Sequence, residues 1–193
     1  MEKHIAEIIK VDIDTIVAET GFKIDLPVGT ILETKNNFNT FFVVLQSFYE
    51  QEFPYGSVSS FGLNEEDLTK SYPHLSEYIR HLLVIFPLFE SDGKNFYSLR
   101  HSIYLNLLLY KTEEEKLRAL LFDSPLAREL SLIDIHKYPK RNKAIVNFLN
   151  NVLGITSDVE KSELKEKIVD MLSNIFVKDF ASLIEIVRGI ENE

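Results

Sequence analysis

The chain has no cysteine. Disulfides, zinc–thiolate sites, iron–sulfur clusters and thiol nucleophiles are therefore excluded. This composition suits a reducing compartment. Glycine is scarce, with seven in 193 residues. No GxGxxG fingerprint occurs, and Gly56-Ser57-Val58-Ser59-Ser60-Phe61-Gly62 lacks the GK[ST] ending of a phosphate loop. No GxSxG nucleophile elbow is present. Long apolar runs are missing too. The longest candidates, LLVIFPLF and YLNLLLY, fall far short of the roughly 20 residues of a membrane helix. The N-terminal stretch MEKHIAEIIKVDIDTIVAET has neither an unbroken apolar core nor a small-residue cleavage site, so it is not read as a signal peptide. A cytoplasmic protein is the expectation, with no membrane partner.

Positive charge is also in deficit. Lys and Arg total 21 against 30 Asp and Glu, a net charge of −9. Duplex DNA repels such a chain at long range, and most non-specific DNA affinity is electrostatic. The global basic footprint of a nucleic-acid binder is absent.

What is present is ordinary globular material: 45% hydrophobic and 26% charged residues. A chain of this length buries a sizeable core without staples. No internal repeat or low-complexity tract is found. Ile5, Ile8, Ile9, Ile16 and Val17 recur at helical spacing, which predicts a helix over 4–18. Phe22, Ile24 and Leu26 alternate as a short extended segment before Pro27 and Gly29. Phe38, Phe41, Phe42, Leu45, Phe48 and Tyr49 predict a strong helix with a wide apolar face. Asn64-Glu65-Glu66-Asp67 reads as a cap with an acidic first turn. A longer helix is expected from Pro73 to about Leu83, followed by VIFPLF, a turn at Asp92-Gly93, and FYSL as a hairpin.

This order of elements over 36–100 resembles a winged-helix module. From Ser102 onward the pattern predicts helices throughout. SIYLNLLLY is apolar nearly all round. Thr112-Glu113-Glu114-Glu115 is a capping box, and Ser124-Pro125 starts a helix. Ala144 to Val152 forms an apolar face stopped by Gly154. Ser157-Asp158 caps a long helix, and Phe180 to Ile190 form the last. The expected fold is mainly α: an N-terminal helix and extended segment over 1–35, the winged-helix-like module over 36–100, and a helical bundle over 101–193.

Residues able to carry chemistry are few. Of the five histidines, His74 and His81 lie seven apart, two helical turns, with Glu77 between them. That is the one metal-site candidate, set against a plain solvated face. The acidic clusters at 65–67 and 113–115 have a structural explanation as first-turn dipole complements. KYPKRNK gathers Lys137, Lys140, Arg141 and Lys143 in what reads as an inter-helix loop, with Tyr138 among them. Together with Arg80 and Lys94 these are the candidate contacts to phosphates or to an acidic partner. Leu183, Ile184, Val187 and Ile190 on the last helix are the candidate partner interface. No cofactor and no catalytic residue is assigned. The reading is a non-catalytic adaptor or regulatory subunit that binds a protein partner or a second copy of itself. A winged-helix DNA-binding regulator is the alternative, disfavoured by charge, and a metal-dependent enzyme stands third.

Overall fold

The computed structural model describes residues 3–12, 15–21, 24, 26–51, 79–117 and 141–191. Among the described residues seven strands come first: β1 (Ala6–Val11), β2 (Ile16–Thr20), β3 (Ile31–Glu33), β4 (Asn39–Gln51), β5 (Ile79–Ser91), β6 (Phe96–Tyr97) and β7 (Leu108–Lys111). Among the described residues the helices α1 (Arg141–Gly154), α2 (Asp158–Ile175) and α3 (Phe180–Glu191) follow. All strand pairs are antiparallel. β1 pairs with β2 and β7, β2 with β5, β5 with β4, β4 with β3, and β3 with β7. The ring closes through six strands into a barrel, and β6 is added to the far end of β5.

The fold is therefore a closed β-barrel with C-terminal helices, not the mainly α winged-helix and bundle arrangement expected. The reason lies in β4 and β5. Phe42 and Val44 point into the lumen, while Phe41, Val43 and Leu45 point out under the helices. A strand buried on both faces reads as a continuous apolar run, and such a run fits a helical template as well. The β-branched and aromatic content of FFVVL is the feature that favours a strand.

The same applies at the N-terminus. The apparent helix over 4–18 is a β-hairpin in which the Asp12 amide donates to the Thr15 carbonyl at 2.8 Å. Ile8 and Ile16 face inward, with Ile9 and Val17 on the outer side. SIYLNLLLY is coil and strand. Leu107 and Leu109 fill the lumen, while Tyr104 and Leu105 are exposed. Of the helix expected from Pro73 to Leu83, residues 79–83 belong to β5 and the remainder lies outside the described residues. The helices expected at 64–71 and from Ser124 also fall outside them.

Several local signals do match the structure. Asp92-Gly93 turns β5 into β6, with Gly93 at φ 86° and the Asp92 carboxylate accepting the Lys94 and Asn95 amides. Those two amides and the Tyr97 hydroxyl hold the Asp92 carboxyl far below the usual carboxylate range. A helical turn begins at Glu114, where the Leu117 amide donates to Glu113. α1 ends at Gly154, Ser157 stands at the N-cap of α2, and α3 covers the last predicted helix.

The helices lie over one side of the barrel. Ala144, Ile145, Phe148, Leu149 and Val152 of α1 join Leu164, Ile168 and Leu172 of α2 and Ile186 and Ile190 of α3. This layer packs on Ile31, Phe41, Val43, Leu45, Leu88 and Phe89 of the barrel wall. Phe41 and Phe89 stack at 4.8 Å. α1 comes close to the barrel at Gly29, at φ +91°. A Cβ there would lie 2.7 Å from the Ala144 carbonyl and from the Phe148 amide nitrogen.

Candidate functional site

The lumen holds Ala6, Ile8, Ile16, Ala18, Leu26, Leu32, Phe42, Val44, Leu83, Ile85, Leu107 and Leu109, all buried. A six-stranded barrel is narrow, and side chains of this size fill it. The barrel is a packed scaffold and not a ligand chamber, so candidate sites lie on its rims and outer surface.

Three polar clusters stand out. At one mouth of the lumen His81 of β5 sits between Thr20 of β2 and Tyr49 of β4, its partners in register. Ser47 Oγ and His81 Nε2 are 2.7 Å apart, and Tyr49 stacks on the imidazole at 4.5 Å. The pair has the hydrogen bond of a serine–histidine couple. Nδ1 is buried and, among the described residues, has no hydrogen-bond partner, so none of their carboxylates orients the ring from behind as nucleophilic catalysis requires.

At the other rim, the fully buried Glu90 carboxylate holds the loop after β6. It accepts the His101 amide at 2.9 Å and faces His101 Nδ1 at 2.7 Å. Burial alone raises the Glu90 carboxyl. The amides of His101 and Arg100 and the His101 ring outweigh it, and the net position is below the ordinary value. The His101 ring lies 5.1 Å from Phe38, and Arg100 covers the Tyr97 ring at 4.4 Å. The third cluster is a cavity of about 410 Å³ lined by Glu33, Lys35, Asn36, Asn39, Glu113 and Lys116. Lys116 pairs with the buried Glu33 and covers the Phe41 ring. In all three clusters the buried charge or imidazole has a local structural partner.

The described candidate basic residues lie on separate elements, Arg80 on β5, Lys94 at the β5–β6 turn, and Arg141 and Lys143 on α1. Arg80 is bound in two hydrogen bonds to Glu19, at 3.0 and 2.7 Å. Arg141 is not in a loop. It opens α1, is buried, covers the Phe176 ring at 4.7 Å and lies 3.7 Å from Asp179. Lys94 is exposed at the β5–β6 turn and Lys143 is exposed on α1. Lys137 and Lys140 lie outside the described residues. The helical face proposed for His74 and His81 does not form, because His81 is on a strand and His74 and Glu77 lie outside the described residues. Among the described residues no group of three or more His, Asp or Glu side chains is arranged to hold a metal.

The last helix divides its apolar residues between two faces. Ile190 and Ile186 are buried, Leu183 packs partly against the core, and Val187 is half-buried. Ile184 faces solvent at 37%, and with it stand Phe180 at 67% and Val177 at 72%. Phe180 and Ile184 are one helical turn apart, so they form one apolar ridge with Val177 preceding it. Sequence periodicity placed both Phe180 and Ile184 on the last helix but counted only Ile184 in the candidate interface, and it passed over Val177. The signal that marks them is the split of α3 into two apolar stripes. Among the described residues no helix is long and apolar enough to cross a membrane.

Neither the protein-family models nor the curated proteins compared with this chain contain a match.

Proposed function

We propose that this protein is a non-catalytic interaction module, an adaptor or regulatory subunit of a larger cytoplasmic assembly. The observation that carries the reading is the ridge Val177, Phe180 and Ile184, which leaves large apolar side chains in water beside a well-packed core. Monomeric proteins seldom leave such groups together unless something binds there. The filled lumen and the partnered polar clusters support a scaffold over an enzyme. The acidic balance supports a protein partner over nucleic acid.

The test is a pull-down of tagged protein from its native cells, with and without nuclease, beside the Phe180→Asp/Ile184→Asp variant. A stoichiometric protein partner that survives nuclease and is lost in the variant is the expected result. Partners that vanish with nuclease would overturn the reading, as would a partner list the variant leaves unchanged.

A further inference from the structure

Among the described residues most strand edges of the barrel are paired, and the stretch 46–51 of β4 is a long exception. β3 pairs with β4 at residues 41–43. The Gly29 and Thr30 backbone carries that pairing on to Val44, at 2.8 and 2.9 Å. Beyond the irregularity at Leu45, residues 46–51 of β4 pair with β5 alone. The other edge of β5 is covered by β2 at residues 81–85. Among the described residues no strand lies along the outer edge of 46–51.

In an antiparallel strand alternate residues turn both N–H and C=O to the same side. Roughly three of the residues in 46–51 therefore direct both groups outward. At about 3.4 Å per residue the open edge is about 20 Å long.

Natural proteins blunt such edges with lysine, proline or very short strands. β6 is short, with two residues. The segment Gln46-Ser47-Phe48-Tyr49-Glu50-Gln51 contains neither lysine nor proline, and its one charge is Glu50. Tyr49 is 58% exposed and Phe48 is half-buried. Neighbouring positions face opposite sides of the sheet, so an added strand finds an aromatic neighbour on each face.

We propose that the 46–51 edge of β4 binds an extended, basic segment of another protein, which joins the barrel wall as an additional strand. The proposal deepens the interaction reading and rests on it. Backbone pairing supplies affinity in this mode, and alternate side chains supply selectivity. Charge selects the occupant. A second copy of the chain would bring another −9 and a second Glu50 to the same edge, whereas a Lys- or Arg-bearing segment is attracted to it.

The experiment uses the full chain, immobilised, and a displayed library of random peptides of about eight residues, long enough to span the edge. Enriched peptides are expected to alternate apolar and basic residues. Bound to the free protein, they should slow amide hydrogen exchange within 46–51. N-methylation of alternate peptide amides should weaken binding about tenfold or more, since two or three hydrogen bonds are lost. Glu50→Lys should weaken the basic peptides several-fold without unfolding the chain.

Absence of enrichment overturns the proposal, as does protection elsewhere or binding indifferent to N-methylation. Concentration-dependent dimerisation that protects the same amides overturns it in favour of self-pairing. If the edge fails while the Phe180→Asp/Ile184→Asp variant still loses its partner, the interaction reading stands and only the edge is eliminated.

Discussion

Gly29 and Glu90 show how single residues hold the barrel to what surrounds it. Gly29 combines a left-handed backbone with a space too small for any side chain, since α1 lies directly over it. Gly29→Ala should cost about 2–4 kcal/mol, the sum of a positive-φ penalty and forced displacement of a helix. Chemical denaturation would measure this as a lower midpoint at unchanged slope.

Glu90 works through charge. Its folded value lies below the ordinary carboxylate value, so the ionised form is the one the native state favours. Its contribution is thus fully present above the unfolded value, about 4.3, and is lost as pH falls through the folded value. Glu90→Gln should lower the melting temperature at pH 7. The gap from the parent should narrow as the buffer is taken below about pH 4. A gap constant across that range would refute the assignment.

At the scale of elements, α3 offers a contrast inside one helix. Ile186 is fully buried and Phe180 is two-thirds exposed. Ile186→Ala should cost about 2–4 kcal/mol, while Phe180→Asp should change stability by about 0.5 kcal/mol or less. Only the second should abolish partner capture.

The elements also show what a sequence makes legible. α1, α2 and α3 each bury one face, so period 3.6 survives in Ala144-Ile145-Phe148-Leu149 and in Leu164-Ile168-Leu172. The Asp92-Gly93 turn is set by local chemistry and was readable for the same reason. The stretch 41–45 of β4 was not, because both of its faces are inside the protein. The alternation of that stretch separates two apolar environments, lumen and helix layer, and no polar residue in it marks the difference. The edge at 46–51, which no strand among the described residues covers, was invisible as well, since it depends on where β3 stops. Of the ridge on α3, Phe180 and Ile184 were legible as apolar positions, but their exposure depends on how the helix is rotated against α1.

For the whole molecule, one apolar cluster runs from the barrel wall through all three helices. Barrel and helices should therefore unfold in a single transition. Far-ultraviolet circular dichroism and the near-ultraviolet signal of the aromatic core should lose structure at the same denaturant concentration. Two separated transitions would show that the layers are independent. Removing residues 141–193 would expose Phe41, Val43, Leu45, Leu88 and Phe89 together, and the shortened chain is expected to aggregate.

The seam between β1 and β7 joins Ala6 to Leu109 and Glu7 to Leu108. A ribosome must therefore release more than a hundred residues before the first strand meets its second neighbour. Until then the N-terminal hairpin waits with one side open, and the helical layer that covers Phe41 and Phe89 has yet to be made. Such long-range closure is slow and exposes sticky intermediates. In the cell, the time this protein is most vulnerable is set by translation, and chaperone demand should fall mainly on the nascent chain.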